Sequence, residues 1–177
     1  MKQYQVGDYL VFERAGVCQV DEISEKALMG KGSEKMYYSL HPVFEKDSRF
    51  LTPVNSKVRM RDLQTPEEID RLFDRLPEIE FIDEKNPRAI SEIFKKKIAE
   101  FTPDSLASVV KTIYLRQQMR MAAGKKAMLS DEKIMNSAGR KLFEEIAFVR
   151  RCEPAAAEKA FYDRLTDDKE KCIRNLA

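Results

Sequence analysis

The side chains in this chain best suited to chemistry are cations. Arg120, Lys125, Lys126 and Lys133 fall within fourteen residues, and Arg88 precedes them in the same basic block. Residues 85–151 carry 15 Lys and Arg against 7 Asp and Glu, whereas residues 66–84 carry 2 against 8. Cations at this density can neutralise phosphates, a contact that needs no base-specific geometry. Lys133 is the strongest single candidate. Ser130 is placed to cap a helix, so Lys133 follows in its first turn, where backbone N–H groups already favour a phosphate. A solvated helical face would carry the same charges, and charge alone does not separate the two readings.

Other chemistries have little support. The one histidine, His41, stands before Pro42, between a strand and a turn. No carboxylate pair sits in an acid–base setting; Glu67-Glu68 and Asp167-Asp168 read as helix-end charges. Gly30-Lys31-Gly32 lacks the following helix of a phosphate loop and reads as a hairpin turn. Cys18, Cys152 and Cys172 are odd in number and widely spaced, which fits free thiols in a reducing cytoplasm. The expectation is a protein that is not an enzyme, with no catalytic residue, metal ligand or cofactor. No apolar run approaches the length of a membrane span, and no apolar signal region follows Met1.

Two kinds of element must position those cations. Residues 1–62 read as a β-module. Tyr9-Leu10-Val11-Phe12 is rich in β-formers, Val17 to Ile23 alternates apolar and polar, and Met36 to Leu40 and Arg49 to Val54 follow as strands. Val58 to Arg61 would close the module. The pattern then becomes helical. Thr65-Pro66, Asn86-Pro87 and Thr102-Pro103 each place a capping residue before proline, and Ser130-Asp131-Glu132 and Glu153-Pro154 open two more helices. Each helix carries an apolar stripe, such as Leu106, Val109, Val110 and Ile113 in the third. Residues 63–85 read as a helix and an acidic linker, with 78–85 the most protease-sensitive internal segment. Residues 86–177 read as the helical domain, fraying after Thr166.

The ordered motifs resemble the CarD/CdnL family of bacterial transcription regulators along nearly the whole chain. Val6-Gly7-Asp8-Tyr9-Leu10-Val11-Phe12 with Gly16-Val17-Cys18-Gln19-Val20 is similar to the family's opening module. Tyr37 to Leu40 and Thr52 to Asn55 are similar to its later strands. Leu106 to Tyr114, Leu129 to Lys133 and Glu145 to Ala147 resemble its helical motifs. The resemblance implies an α+β chain of two domains, with a small Tudor-like β-barrel followed by an all-α bundle of about five helices. It implies a cytoplasmic protein, expected as a monomer, whose first domain binds the RNA polymerase β subunit. The helices would contact promoter DNA weakly and without sequence preference, modulating the stability of the open complex.

Carried over by residue, the polymerase contacts fall on Lys26 and Leu51, and a basic DNA-contacting position falls on Lys133. The family's tryptophan before the first long helix has no counterpart: the chain has no Trp and shows Asn86-Pro87 there. The stretch from Gln117 to Met128 is longer than the family's connection and carries Arg120, Lys125 and Lys126. The alternative reading is an interaction adaptor without direct DNA contact.

Overall fold

The computed structural model describes residues 3–28, 32–45, 47–126 and 128–167. The fraying expected after Thr166, the Gly30-Lys31 part of the hairpin turn, and Cys172 thus lie largely or wholly outside the described residues. The chain divides into two compact units, Met1–Leu63 and Gln64–Ala177.

The first unit is one five-stranded sheet: β1 (Tyr9–Phe12), β2 (Gly16–Lys26), β3 (Lys35–Pro42), β4 (Phe50–Pro53) and β5 (Met60–Arg61). The strand order is β4-β3-β2-β1-β5, and all neighbours are antiparallel. Closure into the expected barrel would require β4 to pair with β5. That pairing is absent among the described residues and β5 spans 2 residues, so the sheet stays open. Gly16 opens β2 at φ 78°, a backbone angle that favours glycine, and the chain can therefore turn tightly from β1 into β2.

One face of the sheet carries the core. Leu10, Phe12, Cys18, Val20, Tyr38 and Leu40 are buried there. Phe12 packs edge-on against Phe50 at 5.8 Å between ring centres. The Tyr4 N–H donates to the Tyr38 hydroxyl at 3.1 Å. A bulge between Val20 and Glu22 inserts Asp21. Its carboxylate pairs with His41 Nδ1 and, at 3.5 Å, with Arg49 Nε. His41 thus lies within β3, not in a loop after it, and its partner makes it part of the bulge.

The second unit is helical: α1 (Pro66–Arg75), α2 (Pro87–Glu100), α3 (Pro103–Ala122), α4 (Leu129–Arg150) and α5 (Pro154–Asp167). Three starts follow the capping logic of the sequence. Thr65 and Glu68 form a reciprocal capping box, the Asn86 side chain accepts from Arg88 N–H, and Thr102 and Ser105 cap each other. Ile69, Leu72, Phe94, Leu106, Val110, Ile113, Leu142, Ile146, Phe161 and Leu165 form the apolar interior. Residues 64–85 belong to this helical unit, so the stretch expected as a linker packs within it. No described helix is long and apolar enough to cross a membrane.

Candidate functional site

In the first unit the exposed edge of β4 is the outstanding feature. Val54 N–H donates to Met36 C=O at 2.9 Å. The antiparallel register then makes Tyr38/Thr52 and Leu40/Phe50 the hydrogen-bonded pairs of β3 and β4. Leu51 falls between them, opposite Ser39, and its N–H and C=O point away from β3. Its side chain is 47% exposed. Pro53, two residues on, offers a carbonyl and no N–H. Leu51 is therefore the one residue of β4 that can exchange both hydrogen bonds with an added strand.

Lys26 ends β2 opposite Lys35 and pairs with Glu22 at 3.9 Å. Glu22, Ser39 and Leu51 form one cross-strand row, and Lys26 lies four residues beyond Glu22. Lys26 and Leu51 therefore share the sheet face opposite the core. Along the strand direction they are separated by about 13 Å, at ~3.3 Å per residue. A single extended partner surface can span that distance.

In the second unit the cations are sorted along α3. At its N-terminal end the charges are paired: Arg75 with Asp104 at 3.1 Å, and Lys97 with Glu80 at 2.9 Å. The hydrogen bond that Lys97 donates to Glu80 holds its pKa above the usual lysine value. Lys95 pairs with Glu92 at 2.7 Å. These two lysines stand beside carboxylates.

The C-terminal end of α3 differs. Phe81, Asp83, Glu84 and Lys85, just before α2, line the same cleft as Arg116, Met119 and Arg120, so α2 begins beside the last turns of α3. Arg88, in the first turn of α2, is exposed. Arg120 Nε donates to Lys126 C=O at 2.9 Å, which folds the α3–α4 connection back onto α3. Lys125 and Lys126 are exposed on that connection. Lys133 is exposed four residues into α4, about 6 Å along the axis at ~1.5 Å per residue. The candidates Arg88, Arg120, Lys125, Lys126 and Lys133 are thus gathered at one end of the helical unit, together with Arg116. Asp83, Glu84 and Glu132 lie there too, so the end is basic but not uniformly so.

One expected detail changes. The N-cap of α4 is Met128, which makes no side-chain cap, and Ser130 lies inside the helix with its hydroxyl donating to Asp131 at 3.3 Å. Met128 C=O accepts from the Asp131 and Glu132 N–H groups, so the helix begins two residues earlier than a Ser130 cap requires. Lys133 is therefore past the free N–H groups, and its value is its own charge.

In the sequence Lys111 stands only as one residue of the Leu106 to Tyr114 motif. It is 2% exposed, and its ammonium donates to the carbonyls of Leu76, Pro77 and Ile79 at 2.8, 2.9 and 2.7 Å. Its neighbours on α3 continue the pattern: Ser108 donates to Glu80 C=O, Thr112 accepts from Ile82 N–H, and Arg116 donates to Glu84 C=O. The spacing 108, 111, 112, 116 places these side chains on one stripe of the helix. That spacing was visible in the sequence, but it reads as a polar face until the segment it holds is known.

Among the described residues the chain thus joins an open antiparallel module, with the β4 edge unpaired, to a helical unit with a basic end. Residues 4–64 match the family model of the CarD-like/TRCF RID domain. The first unit is therefore similar to that domain family, and the match supports a CarD-like family member. Comparison with curated proteins gives no match.

Proposed function

We propose that the protein is a non-enzymatic regulator of bacterial transcription, working in the cytoplasm as a monomer. Its first unit docks on the RNA polymerase β subunit through the edge of β4, with Leu51 exchanging main-chain hydrogen bonds and Lys26 supplying charge complementarity. The basic end of the helical unit then meets promoter DNA through phosphates and shifts the stability of the open complex. The observation that carries this reading is the RID-domain match over residues 4–64, on the unit that has the free strand edge.

Docking on the polymerase makes strong DNA affinity unnecessary. A tethered module meets its second site at high effective concentration, so a few phosphate contacts suffice. The test is co-purification of the β subunit with the full chain, followed by the lifetime of promoter complexes with and without it. Failure to retain the β subunit would sink the reading. Retention with an unchanged promoter lifetime and no DNA binding would leave an adaptor that acts through protein contacts alone.

A further inference from the structure

The sheet has a second open edge, on β2. β1 covers β2 from Gly16 to Gln19, and Val20 exchanges main-chain bonds with Gly7 and Asp8 at 2.8 and 2.9 Å. Beyond the bulge at Asp21, no described strand lies on that side of Glu22 to Lys26. The other side is paired, with Glu22 opposite Ser39, Ser24 opposite Tyr37 and Lys26 opposite Lys35. Tyr38 and Leu40 turn their main-chain groups to β4, so Tyr37 and Ser39 turn theirs to β2. β3 thus satisfies Glu22, Ser24 and Lys26, and the N–H and C=O groups of Ile23 and Glu25 point to the open side.

Charged residues on an edge ordinarily keep another strand away. Here their order makes them complementary to a second copy of the same segment. An antiparallel pair centred on Ser24 sets Glu22 opposite Lys26 of the second copy, and Lys26 opposite its Glu22. Ile23 exchanges both main-chain hydrogen bonds with Glu25 of the second copy, and the two-fold axis repeats the exchange. The Glu–Lys pairs are then non-hydrogen-bonded pairs, whose side chains approach most closely. Within one chain Glu22 and Lys26 hold each other only at 3.9 Å. Ser24 meets its own copy at the axis. Its hydroxyl oxygen is shielded and has no hydrogen-bond partner among the described residues, and serine opposite serine supplies one. Moving the axis to residue 22 or 26 would set like charge against like.

We infer that residues 22–26 of β2 pair with the same residues of a second copy of this chain, antiparallel, about a two-fold axis at Ser24. A segment this short forms a small contact, so the pair is weak and forms as concentration rises. The pair stands whether or not the polymerase reading does. Where that reading holds, the monomer is the working form, and the pair, which occupies Lys26, is its idle one.

The experiment is sedimentation equilibrium of the full chain at low salt and rising concentration, which should give masses climbing from one chain towards two. Glu22→Lys and Lys26→Glu should each weaken self-association about tenfold, because each sets like charges opposite one another. Circular dichroism should show both variants folded. Mixed in equal amounts, the two variants should associate as tightly as the parent, since opposite charges then face each other at both positions. Ser24→Cys should cross-link through residue 24 on mild oxidation, with the parent as the control for Cys152 and Cys172. A parent that stays one chain up to its solubility limit overturns the inference. So does a mixture that stays dissociated when each variant alone does. Self-association that both single variants keep, or that Leu51→Pro abolishes, puts the contact elsewhere and overturns the β2 pair. A Ser24→Cys protein that forms no link through residue 24 overturns the axis.

Discussion

The ammonium of Lys111 lies 2.8 Å from the carbonyl oxygen of Leu76, the C-cap of α1. With Pro77 and Ile79 it forms a three-carbonyl seat for a buried cation. The last carbonyls of a helix have no partner within it, and here a side chain from another helix supplies the donors. The same contact ties residues 76–79 to α3. Lys111→Met should therefore destabilise the helical unit by at least about 3 kcal/mol, since each of the three carbonyls left without a donor costs ~1–3 kcal/mol. Limited proteolysis reads the consequence directly. The parent should resist cleavage within 76–84, while the variant should be cut there first. Cleavage of both proteins at that segment at equal rates would remove Lys111 as its anchor.

That segment also shows where the sequence stops being informative. The helix starts at Pro66, Pro87 and Pro103 were legible because Thr65, Asn86 and Thr102 are local caps, and local rules decide them. The stripes Leu106/Val110/Ile113 and Leu142/Ile146 were legible because burial follows helical period. Residues 76–84 have no period of their own. What holds them is a set of side chains about thirty positions away, and no local signal announces that. Met128 illustrates a related failure: Ser130 is the better capping residue, yet the helix extends back past it. Pro53 marks β4 as an edge or a strand end in the sequence, but whether the barrel closes depends on whether β5 reaches β4, a matter of strand length and not of residue type. The grouping of Arg88 with Arg120, Lys125, Lys126 and Lys133 needed the helix topology, although the charge excess itself was plain.

The edge of β4 makes a backbone-level prediction. Leu51→Pro removes the one outward N–H of that strand that an added strand would use, and proline is tolerated on an edge. Binding to the β subunit should weaken about fivefold to tenfold, near the ~0.5–1.5 kcal/mol of one hydrogen bond. Leu51→Ala keeps the N–H and should weaken binding less. Equal losses in the two variants would assign the effect to the side chain and end the case for strand addition.

Lys26→Glu tests the charge component. The pair with Glu22 is long at 3.9 Å and partly exposed, so its loss should cost the fold under about 1 kcal/mol. The new carboxylate would sit beside Glu22 on the face shared with Leu51. β-subunit binding should fall, more steeply at low salt than at high salt. A titration in which Lys26→Glu matches the parent at both salt concentrations would exclude Lys26 from the interface.

Tyr4 gives the first unit an alkaline limit. Burial, reinforced by the neighbouring Asp62 carboxylate, pushes its phenol from the ordinary 10.0 up to about 12. A group whose pKa is raised by folding stabilises the fold fully below its unfolded pKa. That contribution is then lost as the pH climbs through the folded value. The stability advantage of the parent over Tyr4→Phe should therefore shrink as the pH rises from 10 towards 12. The difference in tyrosine absorbance between the two proteins should place the Tyr4 transition at the upper end of that window. A transition at the ordinary tyrosine pH would contradict its burial.

The DNA contact is best tested through its salt dependence, because phosphate contacts and structural charges differ there. Each phosphate neutralised adds about 0.9 to the slope of log affinity against log salt. If Lys125 and Lys126 each contact a phosphate, Lys125→Ala/Lys126→Ala should lower the slope by about 2, and Lys133→Ala by about 1. Lys95→Ala, on the end of the unit where the lysine pairs with Glu92 at 2.7 Å, should leave the slope unchanged and serves as the control. On a promoter, the two basic variants should shorten or lengthen the life of the open complex relative to the parent while the β subunit still co-purifies with each. Both should move it in the same direction, because they weaken one contact. If Lys133→Ala changes the slope and Lys125→Ala/Lys126→Ala does not, the contact runs along α4, and the α3–α4 connection is a spacer. If only Lys95→Ala changes it, the DNA lies at the opposite end of α3, and the paired cations there meet the phosphates in place of the exposed ones.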